Sequence, residues 1–115
     1  MQVQVNTDDH VTAREAFVAR IENDVSAGLA RFAAYLTRVE VHIGDENAGK
    51  AGSADKRCML EARASGLTPL SVTHHAATID EACNGALRKL RALLDGKLGK
   101  LQDHKGAPSV RDAEP

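Results

Sequence analysis

The chain has no tryptophan, one tyrosine and two phenylalanines in 115 residues, an aromatic share of 3%. That argues against base-stacking platforms of the kind that hold single-stranded nucleic acid, because each bound base needs a ring to lie on. Cysteine is as scarce. Cys58 and Cys83 form no C-x-x-C pair, and are expected as reduced, buried thiols of a cytosolic protein. No apolar run approaches membrane-spanning length, and the opening MQVQVNTDDH lacks the basic and apolar regions of a signal peptide. A cytoplasmic protein without a membrane partner is therefore expected. Strong charge of either sign is missing too: the formal net charge is −1, so any surface for a polyanion must be local. No nucleophile sits in a motif with its base, no glycine pattern follows a strand, and no carboxylate pair is set apart. An enzyme, a small-molecule substrate and a cofactor are accordingly not expected.

What is present is a long amphipathic stretch from Thr78 to Leu101, TIDEACNGALRKLRALLDGKLGKL. Ile79, Cys83, Leu87, Leu90, Leu94, Leu98 and Leu101 step by four or three, which keeps one stripe of a helix against a core. Thr78 with Glu81 makes a capping box at its start. At roughly 100° per residue, Arg88 and Arg91 fall on one flank of the stripe and Lys89 and Lys100 on the other. Lys97 points nearer the stripe, so either its stem snorkels or the last turn overshoots the packing surface. Between Asn84 and Leu101 five cationic side chains face one carboxylate, Asp95.

The rest of the chain is short enough for one small domain. Gln2 to Asn6 alternates as a strand. Thr12 and Glu15 form a second capping box, opening a helix to about Ala34 with the stripe Phe17, Ile21, Val25, Leu29 and Phe32. On its flank Arg20, Asp24, Ala27 and Arg31 fall into one row. Thr37 to Ile43, Lys56 to Ala64 and Leu70 to Ala76 alternate as three further strands. Between the first two of these, residues 44–55 predict a mobile hairpin loop whose Asp45, Glu46 and Asp55 match no calcium loop and serve as solubilising charges. The order β-α-β-β-β-α predicts an α+β fold, a four-stranded mixed sheet with both helices on one face. Glu40, Arg57, Glu61 and Arg63 would lie on the polar face, where opposite charges pair across strands for roughly 0.2–1 kcal/mol each. Residues 1–101 form the domain and 102–115, polar with glycine and two prolines, a disordered tail.

The opening QVQVNT, the run TRVEVHIGDEN and the block DKRCMLEARASGLTPLSVTHHAATIDEACNGALRKLRALL resemble the short hibernation-promoting factor family, also called ribosome-associated translation inhibitors and, in older usage, sigma-54 modulation protein. The likeness covers about residues 1 to 102. It implies a fold similar to a double-stranded-RNA-binding domain, seated in the mRNA and tRNA channel of the small ribosomal subunit and silencing idle ribosomes. Basic residues on the two helices of such proteins touch the ribosomal RNA backbone. By position the matching residues are Arg31 on the first helix and Arg88, Lys89, Arg91, Lys97 and Lys100 on the second, with Arg20 sharing the row of Arg31. This sequence departs from the family at Asp24 and Ala27, where that row tends to be basic. Fewer phosphate contacts predict weaker, less salt-sensitive binding. The extra C-terminal domain with which longer members dimerise ribosomes has no match here.

Each signal has a plainer reading. Lysine and arginine are good helix formers, and from spacing alone the basic stretch is first a solvated face; the resemblance turns that balance toward an RNA backbone read by shape. The alternative is a protein-interaction module that keeps the fold without the ribosome. His74 and His75 point to opposite faces, and His42 with His75 on the polar face are read as surface histidines, so no metal is assigned. His74 is expected partly buried near the start of the main helix. Cys58 and Cys83 both point inward, which leaves a regulatory disulfide as the alternative to plain thiols.

Overall fold

The computed structural model describes residues 1–8, 15–45 and 55–106, of which 99–106 by helical backbone alone. Its elements are β1 (Gln2–Thr7), α1 (Glu15–Gly28), a 3-10 turn (Ala30–Phe32), β2 (Leu36–Asp45), β3 (Lys56–Ala64), β4 (Leu70–Ala76) and α2 (Ile79–Gly106). The strands lie in the order β1-β2-β3-β4. β1 runs parallel to β2, while β2 with β3 and β3 with β4 are antiparallel. This is the expected β-α-β-β-β-α arrangement, with β1 at the margin of the sheet.

Period-two alternation sends Val39, Val41 and Ile43 of β2 and Cys58, Leu60, Ala62 and Ala64 of β3 to one face, where all are buried. Ile21 and Val25 of α1 and Ala82, Cys83, Ala86, Leu87, Leu90, Leu94 and Leu98 of α2 join them in a single cluster. Both helices therefore cover the same face. Each leucine so buried is worth about 1.5–3 kcal/mol relative to exposure, and the small residues let α2 lie close on β3.

The helix ends differ from the sequence pattern for local reasons. Thr12 lies outside the described residues, so only the second capping box can be placed: the Glu81 amide donates to Thr78 Oγ1 at 3.1 Å. α1 stops at Gly28 rather than near Ala34, and the chain tightens into the 3-10 turn, with Phe32 N–H bonded to Leu29 O at 2.9 Å. Glycine is a poor helix residue, and at Gly28 a Cβ would press within 3.2 Å of Leu87 Cδ1. α2 continues past Leu101 to Gly106, so residues 102–106, assigned to the tail by composition, carry helical backbone. Residues 107–115 lie outside the described residues.

The loop charges also differ from expectation. Asp55 is buried and, with Asp45 at the end of β2, holds the Lys56 ammonium at 3.2 and 3.4 Å. The hydrogen bond that Lys56 Nζ donates to Asp55 raises the Lys56 pKa, with Asp45 adding to it. These two carboxylates close the base of the β2–β3 hairpin rather than solubilise its loop; Glu46 lies outside the described residues. At the β3–β4 turn Gly66 takes φ +81°, a left-handed conformation that suits glycine.

Cys58 and Cys83 face each other beneath α2 as free thiols. Their mutual hydrogen bond, followed by burial, pushes the Cys58 thiol well up, and the same bond lowers Cys83. Cys58 is thus the donor and stays protonated.

His74 is half-buried as expected, and its ring explains Gly85: a Cβ built there would fall inside the imidazole. Gly85→Ala is predicted to destabilise the protein despite the usual gain of about 1 kcal/mol for replacing a helical glycine. In a His74→Ala background the same change should stabilise by up to about that amount. Urea unfolding of the four variants of this cycle measures the sign change.

Candidate nucleic-acid interface

The antiparallel pairings make β4 run with β2, so α1 and α2 lie side by side in the same direction. Two ion pairs tie α2 to this part of the chain, one from α1 and one from the 3-10 turn, because Arg31, expected on the first helix, lies beyond its end. Arg20 Nη1 of α1 lies 2.9 Å from Asp80 Oδ1 in the first turn of α2, and Arg31 Nη2 lies 2.8 Å from Asp95 Oδ2. Phe17 sits 5.8 Å beneath the Arg20 guanidinium and Phe32 4.5 Å beneath that of Arg31, so each arginine has an aromatic support as well as an anion. Both pairs are open to solvent, with 49% and 61% of the arginine side chains exposed.

The four described cations of α2 are placed differently. Arg91 is half-buried and reaches α1, its Nη1 3.4 Å from where a Cβ on Gly28 would stand. On the opposite flank Lys89 Nζ donates to Thr73 O of β4 at 2.8 Å. Arg88 lines a cavity of about 390 Å³ with His74, Ala76, Glu81 and Asn84. Lys97 is exposed, next to the buried Leu98. Among the described residues none of the four has a carboxylate at ion-pair distance. Lys100 is carried on the helical backbone of α2, with its side chain outside the described residues.

The structure thus divides the seven sequence candidates. Arg20 and Arg31 are neutralised where they stand, whereas Arg88, Lys89, Arg91 and Lys97 have no carboxylate partner among the described residues and are spread over both flanks of α2. Asp24 and Ala27 are exposed between the two paired arginines, so the centre of the α1 row offers no cation. Sequence reasoning missed Asp80 and Asp95 as partners. Asp95 was counted only as the one carboxylate among five cations of its own helix; it bonds across to Arg31 instead. The signal that could have found it is helix direction: once α1 and α2 run alongside each other, residues near matching depths meet.

No family model matches the chain, and no curated protein sequence matches it. Solved structures do. The N-terminal domain of protein Y from Thermus thermophilus superposes with a TM-score of 0.59 at 18% identity, over 82% of this chain and 96% of that one. The fold is that of this domain. A ribosomal subunit interface protein from Coxiella burnetii matches with a TM-score of 0.65 at 11% identity, over 86% of this chain and 99% of its own. Both span nearly their whole length on this chain, so the shared architecture is the complete β-α-β-β-β-α unit. No helix of the described residues is long and apolar enough to cross a membrane.

Exposed ion pairs contribute at most about 1 kcal/mol. Asp80→Asn and Asp95→Asn are each predicted to lower the unfolding free energy by no more than that, read from urea melts. A larger loss would mean that the pairs hold the two helices in place rather than balance charge.

Proposed function

We propose that the chain is a ribosome-associated translation inhibitor of the hibernation-promoting type, which occupies the mRNA and tRNA channel of the small subunit. It acts by filling space in the cytoplasm, without turnover, membrane or small-molecule substrate, and residues 1–101 constitute the binding domain. The observation that supports this reading is the set of cations on α2, Arg88, Lys89, Arg91 and Lys97, without carboxylate partners among the described residues, borne by a fold shared with the Thermus thermophilus protein Y domain and the Coxiella burnetii ribosomal subunit interface protein. Guanidinium and ammonium groups spread around one helix suit a phosphate backbone, where contacts position the protein without reading bases. Lys100 falls, by helical spacing, on the flank of Lys89. Arg20 and Arg31 join the surface only when a phosphate displaces Asp80 or Asp95, a competition that weak exposed pairs permit.

The two neutralised arginines favour a second reading, an interaction module in which charge serves only to lock helix to helix. Co-sedimentation with ribosomes across a salt series separates the two. Ribosome binding predicts association with the small subunit that weakens steeply with salt, log K falling linearly with log salt; an interaction module predicts none.

Replacing Arg88, Lys89 and Arg91 together with Ala should release the protein from ribosomes and reduce the salt slope by about 2–3 while the chain stays folded. Asp95→Asn, which frees Arg31, should tighten binding and steepen the slope by about 1. Unaltered binding in the triple variant would overturn the assignment of these residues.

A further inference from the structure

The polar face of the sheet carries its charges in like-signed rows. Arg38 stands directly opposite Arg63, and Glu40 directly opposite Glu61, so the cross-strand pairing of opposite charges expected from alternation is not what forms. Balance runs along each strand instead: Arg38 Nε lies 3.1 Å from Glu40 Oε2, and Arg63 Nη2 lies 3.9 Å from Glu61 Oε2. Each arginine engages one oxygen of its carboxylate. The other oxygen of Glu40, Oε1, is 3.2 Å from His42 Nε2. One ligating atom each from Glu40, His42 and Glu61 lie within 4.8 Å of one another. His75, which strand alternation sets on the same face as His42, pairs in register with Arg57 and stands in a different row.

We propose that Glu40, His42 and Glu61 form a binding site for a divalent transition-metal ion on the open face of the sheet. One imidazole and two carboxylates are the donor set that suits zinc, nickel or cobalt, whereas magnesium and calcium take oxygen ligands alone. Ligand bonds of about 2.0–2.2 Å require the three donors to draw together from their present spacing, within reach of glutamate rotamers on a solvent-facing surface. Three protein ligands leave a position for water. Arg38 and Arg63, with guanidinium nitrogens 3.1 and 3.9 Å from Glu40 Oε2 and Glu61 Oε2, supply the positive charge that keeps two facing glutamates tolerable without the ion. The positions are fixed by adjacent strands whose opposite side is packed in the core, which sets donor spacing more firmly than a loop does. The site lies across the sheet from α2 and is independent of ribosome binding.

The test titrates the metal-free full chain with zinc and cobalt chlorides by calorimetry, and follows cobalt by its visible absorption. The expected result is one ion per chain, with His42→Ala and Glu61→Gln each weakening binding at least about tenfold and His75→Ala leaving it unchanged. Magnesium chloride should compete poorly. Glu61→Gln keeps shape and fold, so it reads the site even if the histidine variant unfolds. Absence of saturable binding below about 1 mM, binding that survives Glu61→Gln, or binding lost with His75→Ala would overturn the proposal.

Discussion

The structure depends on one contact surface, the leucine stripe of α2 against the inner faces of β3 and β4. A four-stranded sheet with one polar side has a single apolar face to cover, and this chain has almost no aromatic side chains with which to fill depth. It does so with leucine, valine and alanine at close range. Ala62, Ala82 and Ala86 are fully buried, and Cys58 and Cys83 meet where strand and helix approach. Because the stripe is set on one side of α2, everything cationic on that helix is forced outward or sideways. Packing thus positions the charge as well as stabilising the fold.

Most of this architecture was legible in the residues. Alternation in TRVEVHI and KRCMLEARA and the four-and-three steps from Ile79 to Leu98 specify which faces are buried, since those periods follow from backbone geometry. Element ends were less legible. Gly28 is itself a stop signal, but the apolar stripe runs on through Leu29 and Phe32 and masks it, and the close approach of Leu87 that favours glycine there comes from far along the chain. Polar residues 102–106 likewise read as tail, although a helix already nucleated extends at little cost.

The interface was legible in its cations and illegible in their partners. Arg88, Lys89, Arg91 and Lys97 are recognisable from the sequence because helical spacing alone sends them off the stripe. Whether the charge of Arg20 and Arg31 is balanced depends on Asp80 and Asp95, about sixty positions away and brought near only because α2 runs alongside α1 and the 3-10 turn after it. A near-zero total charge hid both facts. It averages a helix with open cations, ion pairs that tie that helix to its neighbour and a sheet face where Arg38 and Arg63 sit beside Glu40 and Glu61. The same holds for Asp55, which counted as a surface charge until the hairpin base enclosed it.

The bond from Lys89 to the Thr73 carbonyl has a consequence for solubility. β4 is an outermost strand, and an outermost strand with free backbone acceptors is a template on which another polypeptide can add and start a fibril. By occupying one of those acceptors with an ammonium, the helix places a hydrated charge across the path of an incoming strand. A side chain that serves the basic surface therefore also guards the sheet against stacking with its own copies.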